Sequence, residues 1–241
     1  MPPNYYIGAY WGPRKETAGQ CARRIVRLLD DLGSLSPILS KWYRKGRSRN
    51  GALQFPVPPN YEAIRETIAE RSEMTPFDDR ATSEAGFGFG VWNGATEGVE
   101  ISLSVVAGSF VQANILNSCV LSPYGDPELP RTFLNVRLLV EVLKSLAKAC
   151  EPDWATVSTY HHRDRLDMPF GAPEIGWLTY FSDRRGRLPK LPFPSYEVPV
   201  DDLGSILVLS DELFEDERAE TVGMVDSIHG VLRRAGVLAP I

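Results

Sequence analysis

A chain of 241 residues with 43% hydrophobic and 24% charged residues has the balance of a folded globular protein, with ample length to bury a core. No apolar run approaches the roughly 20 residues of a membrane span, and the start Met1-Pro2-Pro3-Asn4-Tyr5 has neither the basic residues nor the apolar stretch of a secretory signal. The net charge of −5 is unevenly spread: residues 1–50 carry ten Lys or Arg against three acids, whereas residues 201–220 carry eight acids against Arg218 alone, an asymmetry that can steer a charged partner.

In chain order, Tyr5–Trp11 is short and aromatic-rich, as a strand prefers. A helix follows from about Lys15 to Leu32, with Cys21, Ile25, Leu28, Leu29 and Leu32 on one stripe and Gly33 placed to cap it. Ile38–Arg49 interleaves Trp42 and Tyr43 with lysines and arginines, the pattern of a stacking site for single-stranded nucleic acid or of a segment anchored by its aromatics. A second helix is expected from Asn60 to about Ser72 on the stripe Tyr61, Ile64 and Ile68, stopped by Pro76.

The centre of the chain, Ala85–Leu121, reads as three antiparallel strands. The first alternates Phe87, Phe89 and Val91 with Gly88, Gly90 and Trp92, and Asn93-Gly94 opens a turn. The second sets Val99, Ile101, Leu103 and Val105 against Glu100, Ser102 and Ser104; the third sets Val111, Ala113 and Ile115 against Gln112 and Asn114. Such a sheet has one apolar face to cover, and the wide stripe of a helix at Thr132–Cys150 (Phe133, Val136, Leu139, Val140, Leu143, Leu146, Ala147) is the expected cover.

Two further strands are expected at Trp154–Tyr160 and Ile175–Phe181. The prolines of Leu188–Pro199 make an extended connector, Ile206–Leu209 is an interior strand, and a last helix runs from about Asp216 to Ala235, closed by Gly236. Without an internal repeat, the economical reading is one α+β domain over residues 1–241, a mostly antiparallel sheet with three to four packed helices.

The search for chemistry finds little. His161 and His162 with Asp164 lie in what reads as a strand, where adjacent side chains face opposite ways, and no carboxylate-spaced metal motif is present. Gly86–Gly90 lacks the spacing and the following helix of a phosphate loop, so its glycines are read as sites of close backbone approach or a bulge. Cys21, Cys119 and Cys150 are odd in number, without short spacing, and fit a reducing cytoplasm. No catalytic residue, metal site or cofactor is expected.

The blocks Tyr5–Arg14, Trp42-Tyr43-Arg44-Lys45-Gly46 and Gly176-Trp177-Leu178-Thr179-Tyr180, with the closing order of strand, acidic segment and helix ending Arg233-Arg234-Ala235-Gly236, resemble the immunity protein 52 family of bacterial polymorphic toxin systems from Tyr5 to Leu238. The resemblance implies a non-enzymatic cytoplasmic protein that neutralises a cognate toxin, often a nuclease of the restriction-endonuclease fold; it transfers a role and no site residues. The acidic segment is the expected surface for the basic groove of such a toxin, through Asp201, Asp202, Asp211, Glu212, Glu215 and Asp216, because it follows a proline-rich connector that should leave it exposed. Trp42 and Tyr43 are the candidate aromatic anchors, with Trp11 better suited to the core. The alternative is a nucleic-acid-binding module using the basic N-terminal third, and an enzyme using His161, His162 and Asp164 is a third reading.

Overall fold

A computed structural model describes residues 4–46, 48–74, 76–95, 98–111, 116–124, 133–192 and 194–241. In chain order these form β1 (Tyr5–Trp11), α1 (Ala18–Leu35), β2 (Tyr43–Arg44), α2 (Arg49–Ala52), α3 (Tyr61–Arg71), β3 (Phe87–Trp92), β4 (Glu100–Ala107), β5 (Asn117–Tyr124), α4 (Val136–Cys150), β6 (Trp154–Thr159), α5 (Tyr160–Arg165), β7 (Leu178–Ser182), β8 (Tyr196–Val200), β9 (Gly204–Val208) and α6 (Ala219–Arg234). The α+β class is as expected, with more elements: the described residues hold nine strands and six helices, four of them long and two (α2, α5) of a turn or so. The chain divides into two compact units, Trp11–Asp126 and Met1–Tyr10 with Pro127–Ile241.

In the first unit β2, β3, β4 and β5 form an antiparallel run, with Val91 opposite Leu103 and Leu103 opposite Leu121. Alternation along β4 is complete: Ile101, Leu103 and Val105 are buried while Glu100, Ser102 and Ser104 are half-exposed. Two buried asparagines close the sheet's ends. Asn93 Oδ1 accepts from Ile101 N at 3.0 Å while its Nδ2 donates to Val99 O at 2.9 Å. Asn117 Oδ1 accepts from Ser109 N at 2.9 Å, and its Nδ2 donates to Gly12 O at 2.8 Å. Asn117 also sets where β5 begins. The strand lies C-terminal to the expected one, with Cys119 and Leu121 facing in; Gln112–Ile115 of the expected strand lie outside the described residues.

Thr17 and Gln20 start α1 with a reciprocal capping box, and α1 packs on α3, which in turn packs on β3. Gly33 does not end α1. The helix continues to Leu35 because the stop is Pro37, which holds the preceding Ser36 extended at φ −157° and ψ 139°. Asn60 caps α3, which buries Ile64 and Ile68 as expected.

The second unit is the antiparallel run β1, β6, β7, β9 and β8. Its helix α4, expected as cover for the Ala85–Leu121 strands, packs within its own unit on β6 and β7, burying Leu139, Leu143 and Leu146; Thr132 of the expected helix lies outside the described residues. The unbroken apolar run Ile206–Val208 falls in β9, between β7 and β8, where both faces are buried. Part of the proline-rich connector is a strand: β8 pairs with β9, and Pro199 is accommodated because β8 is the outermost strand. Helix α6 ends in a Schellman motif, with Gly236 at φ +77°, Gly236 N donating to Arg233 O at 3.1 Å and Val237 N to Leu232 O at 3.2 Å.

One buried acid escaped the sequence reading. Glu174 is 4% exposed and accepts a hydrogen bond from the Tyr6 hydroxyl of β1. Burial raises its pKa against the opposing pull of its hydrogen bonds.

Two outcomes follow from the packing. Leu143→Ala, at a fully buried position, should lower unfolding free energy by about 2–5 kcal/mol in chemical denaturation. For Glu174, a raised folded-state pKa means that wild-type stability falls as pH rises from the unfolded value near ~4.3 toward the folded one. Glu174→Gln keeps an acceptor for Tyr6 and should remove that fall, gaining on wild type between pH 4 and pH 7 in denaturation series. A constant difference across that range would refute the raised pKa.

Candidate functional site

The acidic run does not form one patch. Asp201 and Asp202 lie in the turn between β8 and β9, where Asp201 adopts φ +45° and pairs with Lys148 of α4 at 3.0 Å. Asp211 onward follows β9 and so lies at its other end. Here a groove of about 770 Å³ is bounded by Pro192, Tyr196, Asp211, Glu212, Leu213 and Met224. Tyr196 and Leu213 are large and exposed, at 39% and 40%, and the Tyr196 hydroxyl donates to Asp211 Oδ1 at 2.6 Å. Arg218 at the head of α6 pairs with Glu220 at 3.0 Å and lies 3.7 Å from Glu212. The groove therefore combines carboxylates with exposed apolar surface.

The loop carrying these acids is tied down from beneath. Asp216 is 4% exposed, not on the surface as expected. Its carboxylate accepts from the Thr159 hydroxyl at 2.5 Å and meets His161 Nδ1 at 2.9 Å, while Arg165 donates to its backbone oxygen at 3.1 Å. Burial pushes the Asp216 pKa up, but the bonds from Thr159 and His161 outweigh it and hold the carboxyl below its ordinary value. Two residues earlier, the Phe214 carbonyl accepts from the Tyr5 hydroxyl at 2.6 Å, and the Phe214 ring meets His162 edge-on at 5.4 Å.

His161 and His162 lie on the helix α5, begun by Thr159 as its cap, and not on the strand read from the sequence. Each has a structural partner: His161 holds Asp216, and His162 Nε2 pairs with Ile175 O at 3.0 Å. Asp164 pairs with Arg163. Burial lowers the His162 pKa, favouring the neutral ring. Among the described residues no three His, Cys, Asp or Glu side chains converge as a metal set would.

Of the aromatic anchors, Trp42 is an interior residue, 3% exposed, with Nε1 donating to Leu39 O at 3.0 Å. Its aromatic ring serves the fold. Tyr43 is half-buried in β2 beside Trp92. Two of the bases around them are paired: Arg44 is clasped by Glu66 and Glu70 of α3 at 3.1 and 2.9 Å, and Arg49 by Glu100 at 3.0 Å. Residues 11–126 contain 13 Lys or Arg and 13 Asp or Glu, so the basic N-terminal excess is cancelled within its own unit.

The buried Asp216 gives a pH signature. A depressed folded-state pKa stabilises the protein above the unfolded value near ~3.9, and the contribution is lost as pH falls through the folded value. Asp216→Asn should cost about 1–3 kcal/mol at pH 7, and the gap from wild type should close below about pH 4 in denaturation measured across pH.

The immunity protein 52 family matches residues 3–241. No curated protein matches the chain. Among solved structures, a chain described as Pseudomonas aeruginosa T6SS protein PA0821 is similar with a TM-score of 0.54, at 12% sequence identity, over 95% of this chain and 73% of that one; at that identity the likeness concerns the fold. The family match runs almost from end to end, and on that ground the chain belongs to the immunity protein 52 family.

Proposed function

We propose that this chain is a non-enzymatic immunity protein that acts in the cytoplasm by binding a cognate toxin, a nuclease of restriction-endonuclease fold, and that the acidic groove beside β8 meets the toxin's basic substrate channel. Family membership supports the role. The observation that carries the site is the groove itself, which sets Asp211 and Glu212 beside exposed Tyr196 and Leu213 on a loop tied down through Phe214 and Asp216. Carboxylates there would take the place of nucleic-acid phosphates, with Tyr196 and Leu213 supplying the apolar contact at the centre. Within the acidic run the reading narrows to Asp211, Glu212 and Glu215. Asp201 and Asp202 lie at the far end of β9, Asp216 is interior, and Tyr43 belongs to the other unit. Against the nucleic-acid-binding alternative stands the pairing of Arg44 and Arg49 with acids.

The test requires the cognate toxin domain, to be sought in the reading frames that neighbour this chain's gene. Charge reversal at Asp211, Glu212 and Glu215 should slow association several-fold at low salt and flatten its dependence on ionic strength. The melting temperature should hardly move, because exposed charges contribute about 0–1 kcal/mol each. Identical salt slopes for wild type and variant would place these acids away from the toxin.

A further inference from the structure

Arg218 is the single base of the acidic run, and it stands in the lining of the groove that the acids border. Starting a helix does not call for arginine there. Arg218 is the N-cap of α6, yet its side chain makes no capping bond, where Ser, Thr, Asp or Asn would accept one from the first turn. Its charge also meets the positive end of the helix dipole. The side chain instead reaches two carboxylates that line the same groove: Nη2 lies 3.0 Å from Glu220 Oε2 and Nη1 3.7 Å from Glu212 Oε2. One terminal nitrogen faces each acid, so Glu212 and Glu220 stand apart by the span of a guanidinium fork. The three side chains are all more than half exposed, and pairs so open to water are weak and readily exchanged.

The chain's own guanidinium thus shows what the groove accommodates, and the rest of the lining suits the same guest. Asp211 adds a third carboxylate and holds the Tyr196 hydroxyl at 2.6 Å, which fixes an exposed aromatic ring at the groove. A planar guanidinium stacks on such a ring, as a compact ammonium does not. Leu213 and half-buried Met224 offer apolar surface to a methylene stem. We propose that the groove beside β8 receives an arginine side chain of the protein partner, and that Arg218 occupies the Glu212–Glu220 fork until that arginine displaces it. The inference deepens the toxin-binding reading and rests on it for the partner's identity. Arg218 then acts as a filter. An incoming arginine restores both of the contacts it displaces, whereas a lysine replaces a two-acid fork with a point charge.

The experiment titrates the full chain with end-capped tetra-arginine, tetralysine and tetracitrulline by calorimetry, at about 0.1 M salt, where the Debye length is about 10 Å. Tetra-arginine should bind more tightly than tetralysine, and neutral tetracitrulline should not bind. Arg218→Gln should tighten tetra-arginine binding about threefold, the scale of one exposed ion pair. Arg218→Lys, which keeps the charge and loses the fork, should give part of that gain. Arg233→Gln removes an equal charge near the other end of α6, roughly 22 Å away at 1.5 Å per residue, and should change binding far less. With Glu212→Gln and Glu220→Gln already in place, the gain from Arg218→Gln should vanish. Tetra-arginine binding by Arg218→Gln no tighter than by Arg233→Gln would overturn the proposal. So would tetralysine binding as tightly as tetra-arginine through the same acids. If the toxin binds away from this groove while these shifts are seen, the toxin reading fails and the arginine site stands. If the toxin's salt slope follows the acids but Arg218→Gln brings no gain, the displacement by arginine fails alone.

Discussion

Asp216 brings a carboxylate into the interior, where an unpaired charge would cost several kcal/mol, and the residues that satisfy it hold three elements together. Thr159 ends β6, caps α5 through its hydroxyl, and donates that hydroxyl's proton to Asp216. His161, one residue into α5, takes the same carboxylate oxygen. Arg165 from the last turn of α5 and Tyr5 from β1 grip the backbone of the same loop. The acids immediately ahead of it are presented from a fixed base, which lowers the ordering cost a partner would otherwise meet on binding.

Where charge sits in space matters more than where it sits in the chain. The basic excess of the first fifty residues is balanced by acids of the same unit, with Arg24 held by Glu16 at 2.6 Å and Arg44 by two carboxylates of α3. The net charge of −5 belongs to the other unit, since residues 11–126 are balanced. Even there the acidic run is divided by β9, a strand whose rise of about 3.3 Å per residue carries Asp202 and Asp211 apart.

Elements with a strong local period were legible. The alternation of β4, the stripes of α1, α3 and α4, and the glycine closing α6 each follow from one repeat or one cap. The misreadings have local causes as well. Pro37 outweighed Gly33 in ending α1, Asn117 fixed the start of β5, and a threonine cap turned His161 and His162 from a strand into a helix. The candidate groove was only half legible. Its acids are plain in the sequence, but Tyr196 and Leu213 flank it because β8 pairs with β9, a long-range contact with no local signal. Gly88 and Gly90 were read as allowing close backbone approach or a bulge; what lies against them is the Arg71 side chain, from another element.

The outer strand β8 has a consequence for how this surface can change over time. Pro199 has no N–H to offer a neighbouring chain, Glu197 brings charge to the same strand, and the strand is only five residues long. Adding a partner's strand by main-chain pairing is thereby discouraged on this side, and so is self-association edge to edge. Any recognition beside β8 is thereby left to side chains. Because side chains can be exchanged without disturbing the backbone ladder that supports them, such a surface can follow a changing partner while the scaffold beneath it stays the same.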